Sequence, residues 1–268
     1  VEWTEVRQAV GDVSGRVAAL LRETADPGGR AALGTWSVGD VAAHLVHVWE
    51  FDALQAAGAP EPVDDLARLK DLTGMLVAGE TDREPASLAA RVQAAAARFL
   101  EVSAATGPDE VRAWIGGVKM PVDGLASHAI SESLVHGHDL ATATGRPWAV
   151  PRAHARMAVE GFMLRVVADP ASHDFTLNRG AIGGLTACFE LRVRGGSRTR
   201  LVFEGGSFRA GPPDVRPVDC YVSADPAALL MVMWKRRSQW PAIARGQLLA
   251  WGRKPWLGLK LNGYFNTA

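Results

Sequence analysis

Leu125, Ala129, Glu132, His136 and Asp139 follow one another at steps of four, three, four and three residues. On a helix this spacing puts all five on one face. The first part of that face is apolar and the second carries three ionisable groups. Burying such groups without partners costs several kcal/mol as an order of magnitude, so something must compensate them. Earlier in the chain, His44 stands three residues after Val41 and four before Val48, at the border of an apolar stripe formed by Val38, Val41, Leu45 and Val48. A glutamate and a histidine four apart on one helix, with a histidine from a facing helix, make the donor set of a three-ligand metal site whose remaining position is open to water or substrate. Imidazole and carboxylate donors suit zinc, with iron, nickel or manganese as alternatives. Asp139 or a backbone carbonyl is placed to hold the second nitrogen of a ligand histidine. The same spacing also describes a hydrogen-bonded Glu–His pair on a buried helix face, so spacing alone leaves both readings open. His128, four residues before Glu132, competes as a ligand or stands behind the ligands, His47 flanks the site, and His138 faces outward.

These residues need helices to carry them. Val6, Val10, Val13, Val17, Leu20 and Leu21 form one amphipathic face, ended by the stretch from Asp26 to Gly29. A second helix starts at Ser37, an N-cap with Asp40 in the capping-box position. The stretch from Glu61 to Gly79 has weaker periodicity and reads as a short helix or a loop. A third helix runs from Pro85 to Thr106 and a fourth from Pro121 to Thr144, stopped by Gly145. Four long helices with modest connections predict a bundle over residues 1–150. Residues 151–268 change character, with one more helix from Arg152 to Ala168 and then strand-like alternation through Phe189, Leu191, Val193, Leu201 and Phe203. Gly195-Gly196 is read as a hairpin turn and Val218 to Val222 as another strand. Helices are expected from Asp225 to Trp234, in Pro241 to Trp251 and in Pro255 to Phe265. The expected fold is therefore multidomain, a helical bundle followed by a small α+β domain with strands first and helices after.

Composition narrows the function. The 268 residues are 48% hydrophobic and 22% charged, with 29 basic and 29 acidic side chains. That balance speaks against a nucleic-acid or polyanion binder. The most apolar late stretch, Ala227 to Trp234, is far too short to span a bilayer, and no secretory leader pattern opens the chain, so the expectation is a cytoplasmic protein without a membrane partner. Cys188 and Cys220 sit in strand patterns and are expected to be reduced core thiols. There is no G-x-G dinucleotide fingerprint, no phosphate-binding G-x-x-x-x-G-K, no G-x-S-x-G nucleophile elbow and no C-x-x-C.

Two segments carry a family resemblance. Trp36-Ser37-Val38-Gly39-Asp40-Val41-Ala42-Ala43-His44-Leu45 resembles the second-helix signature of DinB-like proteins, with a tryptophan eight residues before a metal histidine. Glu132-Ser133-Leu134-Val135-His136-Gly137-His138-Asp139-Leu140 resembles the fourth-helix signature E-x-x-x-H-x-x-D-L of the mycothiol-dependent maleylpyruvate isomerase family, in which glutamate is a ligand. Ala143-Thr144-Gly145-Arg146-Pro147 and the closing Trp251-Gly252-Arg253-Lys254-Pro255 are similar to that family too, and the second half is similar to its sterol-carrier-like domain. The resemblance implies a DinB-like four-helix bundle, a divalent metal, zinc first, on His44, Glu132 and His136, and mycothiol, an actinobacterial thiol, as cosubstrate. It implies an S-transferase or cis–trans isomerase for a small electrophilic substrate. Asp139, His47 and His128 are expected around the ligands, and Arg236, Arg237 and Arg245 are candidates for binding the thiol or an anionic substrate. The sequence departs from the family at His128, in place of a small or apolar residue, and at His138, in place of a frequent tryptophan. Two further readings stand beside this one. One is a non-catalytic binding protein for an apolar or aromatic ligand, the other a metal hydrolase that needs no thiol. A monomer or homodimer is expected.

Overall fold

A computed structural model describes residues 2–24, 26–28, 31–63 and 65–266. Gly29, part of the stretch expected to end the first helix, lies outside them. The chain divides into two compact units, Val1–Phe162 and Met163–Ala268.

The first unit is built on four long helices, α1 (Trp3–Arg22), α2 (Val38–Ala56), α4 (Pro85–Thr106) and α5 (Val122–Thr144), with the shorter α3 (Leu69–Gly79) in the segment of weak periodicity. α1 and α2 each pack on both α4 and α5, so the four close a ring around one core. The predicted apolar faces point into it. Val10, Val13 and Val17 of α1, Val41 and Leu45 of α2, Leu88, Val92 and Phe99 of α4 and Leu125 of α5 are sealed from solvent. Ser37 caps α2 through the reciprocal box with Asp40 that the spacing predicts, which satisfies two orphan donors of the first turn. Gly145 ends α5 in the left-handed conformation at φ 70°.

Two hairpins bring aromatic side chains to the ends of this bundle. β1 (Ala31–Leu33) pairs with β2 (Trp36–Ser37), which runs straight into α2. β3 (Val111–Ala113) pairs with β4 (Lys119–Pro121), which runs into α5. The turn between β3 and β4 uses Gly116 and Gly117 at φ 64° and 81°, a region closed to most side chains. Helical residues follow α5 as α6 (Arg152–Arg156), a π-helical stretch Met157–Met163 and α7 (Leu164–Ala168). Sequence reading assigned residues 151–162 to the second domain. In the structure they belong with the first unit, where Phe162 packs against Trp114 and His128 at ring-centroid distances of 5.4 and 4.6 Å.

In the second unit, after two short helices, α8 (His173–Thr176) and α9 (Arg179–Ile182), come the strands β5 (Thr186–Val193), β6 (Arg198–Glu204), β7 (Ser207–Gly211) and β8 (Cys220–Ala224). The helices α10 (Pro226–Met233) and α11 (Gln239–Ala244) follow, and last comes β9 (Leu248–Trp251). The sheet order is β7-β6-β5-β8-β9, with only β5 and β8 parallel. Cys188 and Cys220 are buried free thiols on this sheet. Rings of Phe189, Phe203, Phe208, Tyr264 and Phe265 pack together with centroid spacings of 4.8 to 6.2 Å.

The structure of this unit departs from the expectations at several points. The stretch Pro241 to Trp251 is helical only to Ala244; Gly246, at φ 66°, turns the chain, and Leu248–Trp251 pairs with β8. Strands therefore do not all precede helices. β7 was not foreseen, because one apolar residue, Phe208, faces inward and gives no alternation. Val218 to Val222 shifts to Cys220–Ala224. Pro255–Tyr264 is a 3-10 helix, in a stretch where Gly258 and Gly263 lower α-helix propensity.

Close packing at Gly137 of α5 gives a test of the bundle. The Trp148 indole donates to the Leu134 carbonyl at 3.0 Å and packs on Gly137, so that an added Cβ would fall inside the ring's envelope. Gly137→Ala is expected to destabilise the protein by about 1–3 kcal/mol through overpacking, despite alanine's better helix propensity. Combined with Trp148→Ala, the glycine substitution should lose most of that cost, a coupling that urea denaturation of the double-mutant cycle measures.

Candidate metal centre

α5 is the most enclosed helix of the bundle. Of its 23 residues, 18 are buried, including Glu132, His136 and Asp139. Small residues make this possible. Gly124, Ala126, Ala129, Ser133 and Gly137 are all buried; Trp148 packs on Gly137, and the Trp49 indole of α2 reaches across to donate to the Ser133 hydroxyl at 3.1 Å.

At this crossing of α2 and α5, three donor groups converge. His44 Nε2 lies 3.1 Å from Glu132 Oε2, and His136 Nε2 lies 3.3 Å from the same oxygen. All three candidate ligand atoms lie within 4.8 Å of one another. The two imidazoles meet edge to face with centroids 4.8 Å apart, and the Trp36 ring packs against His44 at 5.4 Å. Behind His136, Asp139 Oδ2 is 3.0 Å from Nδ1. Without a cation Nε2 carries the hydrogen that Glu132 accepts; holding the Nδ1 hydrogen on Asp139 is what would free the Nε2 lone pair for a metal ion, the tautomer a ligand histidine needs.

The charges follow from burial and partners. Burial works against the Glu132 carboxylate, but hydrogen bonds with His136 and His44 outweigh it and hold the carboxyl well below its usual range. Burial also disfavours the His136 cation, yet Asp139 and Glu132 push its pKa up. For His44 burial wins over Glu132, and its pKa is lowered. A carboxylate and two imidazoles sharing one point, one of them tautomer-locked, fit a divalent cation by donor type and by convergence.

The remaining candidates go elsewhere. His128 does not join the ligands. Its Nδ1 sits 2.9 Å from Asp52 Oδ2 and 3.0 Å from Oδ1, an aspartate of α2 that sequence reading did not single out. Asp52 stands four residues after Val48 and four before Ala56 on a buried stripe; that position was the available signal. His47 turns away, its Nε2 3.3 Å from Glu80, which also pairs with Arg91 at 2.7 Å. His138 is half-buried on α5. In the second unit, the backbone N–H groups of Arg236 and Arg237 donate to the Met231 carbonyl, the Arg236 guanidinium to the Trp234 carbonyl, and Arg245 ends α11.

With this geometry in view, the family model described as the mycothiol maleylpyruvate isomerase N-terminal domain matches residues 6–141. No curated protein matches the chain. Among solved structures it is similar to a mycothiol-dependent maleylpyruvate isomerase and to a single-site mutant of that enzyme. Both are 13% identical, with 93% of each chain covered and TM-scores of 0.54 and 0.55. At that identity the likeness speaks for the fold.

The Glu80 cluster that draws His47 away is a pH-sensitive tie between α2, the end of α3 and α4. Hydrogen bonding from Arg91 and from the Asp82 backbone holds the Glu80 pKa at about 2, below its ordinary 4.5. A carboxyl whose folded pKa is depressed stabilises the fold above the unfolded value and loses that contribution as pH falls through the folded one. Glu80→Gln should cost about 1–2 kcal/mol at neutral pH after allowance for solvent screening. The gap to the wild type should close as pH falls from 4.5 towards 2, as read by urea denaturation across that range.

Proposed function

This chain belongs to the family of the mycothiol maleylpyruvate isomerase N-terminal domain, and from that premise we propose that it is a metal-dependent enzyme that uses mycothiol to isomerise a small electrophilic substrate or, as an S-transferase, to attach the thiol to it. The observation that carries this reading is the convergence of His44, Glu132 and His136 within 4.8 Å at the crossing of two buried helices. A divalent cation held by these three, zinc by donor type, would supply the Lewis acidity that lowers a thiol's pKa from its ordinary value near 8.5.

The chain's own residues do the rest. Glu132 stays ionised in an enclosed place because two imidazoles face it. Asp139 fixes the His136 tautomer, and Trp36 walls one side of His44. The burial of α5 keeps bulk water away from a reactive sulfur. In the isomerase reading, the thiolate forms a C–S bond at one carbon of a cis double bond and the electron pair moves into the adjoining acyl group. The resulting single bond rotates, and C–S cleavage restores the double bond as trans. In the transferase reading the C–S bond is kept and a leaving group departs with the electron pair. Residues 1–150 hold the ion in this proposal; Arg236, Arg237 and Arg245, in residues 151–268, are the proposed cations for an anionic group of thiol or substrate. The substrate side of the reading needs neither nucleic acid nor membrane. Among the described residues, no helix is long and apolar enough to cross a bilayer.

Elemental analysis of the purified protein should find one divalent cation per chain, and His44→Ala or His136→Ala should bring it to background. Asp139→Asn should weaken metal affinity by about 10–100-fold, as expected when a ligand histidine loses its partner. Calorimetric titration should show mycothiol binding to the zinc-loaded protein and not to His44→Ala. A zinc-loaded protein that ignores mycothiol overturns the thiol reading, and turnover without any added thiol would replace it with hydrolysis.

A further inference from the structure

One turn before Glu132 on the same face of α5 lies a second polar pair that the three-ligand site does not use. The Asp52 side chain has no exposed surface, whereas His128 keeps 10% of its own. The pair therefore opens on the ring side only. Both Asp52 oxygens lie within 3.0 Å of Nδ1, so the carboxylate grips that nitrogen and aims the ring. Among the described residues Nε2 has no protein hydrogen bond. Rings surround the imidazole. Phe162 stands at 4.6 Å, Trp114 at 5.3 Å and Phe51 at 6.4 Å between centroids. These neighbours offer Nε2 no ionic partner. The charged and titratable groups near it are Asp52 and His44 from α2 and Glu132 from its own helix.

A buried carboxylate on one imidazole nitrogen, with the other nitrogen free, is how an imidazole is held in one tautomer and made a better proton acceptor. A histidine four residues before Glu132 on a helix projects to the same side, one turn of about 5–6 Å away. Here one nitrogen is doubly satisfied by a buried charge and the other is left open.

We propose that His128, positioned by Asp52, is the base that receives the proton of a thiol arriving at the His44–Glu132–His136 site. The inference rests on the thiol reading above and adds to it the destination of the proton. The S–H bond breaks and its electron pair stays on sulfur. The hydrogen moves to His128 Nε2, and the imidazolium charge is met by the Asp52 carboxylate. In the transferase reading the same proton can later go to the departing group. In the isomerase reading it returns to the thiol on release.

Isothermal titration of zinc-loaded protein with mycothiol, in two buffers of different ionisation enthalpy near neutral pH, counts the protons given to solvent on binding. The wild type should retain the thiol proton, and His128→Gln should pass close to one whole proton more to the buffer while keeping its zinc. His128→Asn serves as a second variant, with zinc content and the unfolding transition as checks on the fold. Asp52→Asn should shift the count in the same direction, since an amide cannot balance an imidazolium. Equal proton release by wild type and His128 variants overturns the role of His128 and leaves the thiol reading standing. If both variants fail to fold, a whole proton released by the wild type itself overturns it, and retention supports it. Absence of mycothiol binding to the wild type overturns the thiol reading, and this inference with it.

Discussion

A carboxylate inside a helical bundle has to be answered by something, and in this protein Glu132 sets that demand. Its helix buries 18 of 23 residues, and an ion in such a place costs several kcal/mol as an order of magnitude unless it is paired. The answer comes from two imidazoles, one on its own helix and one across the bundle. His136 is in turn held by Asp139, and His44 is walled by Trp36 at the entry to α2. The register of α2 against α5 is therefore bound to one electrostatic point. A shift by one residue would leave a carboxylate facing apolar side chains. The apolar packing around it, from Leu125 and Leu45 inward, stabilises the bundle without specifying that register so narrowly.

The polar groups along α2 and α5 form two layers, one turn apart on α5 and two turns apart on α2. Asp52 and His128 make the first, His44, Glu132 and His136 the second. Bulky aliphatic residues on α5 would have pushed the helices apart at both levels. Serine, alanine and glycine at positions 124, 126, 127, 129, 131, 133 and 137 keep them close, and Trp49 and Trp148 fill the space so gained. The glycines and serines among them, which weaken α5 as an isolated helix, thus serve the site. Helix stability is supplied instead by tertiary burial, which is the usual source of it in globular proteins.

The second unit is organised on different terms. Its core is a set of packed aromatic rings between sheet and closing segment, with a buried ion pair, Glu190 with Arg200, bridging β5 and β6. The unit's arginines at 236, 237 and 245 lie on turns after α10 and α11 rather than in that core.

Much of the first unit could be read directly. The periodicities of α1, α2, α4 and α5, the Ser37–Asp40 cap and the stop at Gly145 are local features, set by residues within a turn or two of each other. The face shared by Glu132, His136 and Asp139 was legible for the same reason. The partners of His47 and His128 were not. Glu80 and Asp52 lie 33 and 76 residues away from them, and nothing in a spacing pattern says which distant carboxylate an imidazole will meet. The strand β9 and the π-helical stretch at Met157–Met163 were hidden in the same way. A short edge strand exists because β8 offers it hydrogen bonds, and Phe162 joins the first unit because Trp114 and His128 receive it. Local chemistry determined which residues could share a helix face; the three-dimensional packing decided which charge each of them answers, because pairing energies act through space and not along the chain.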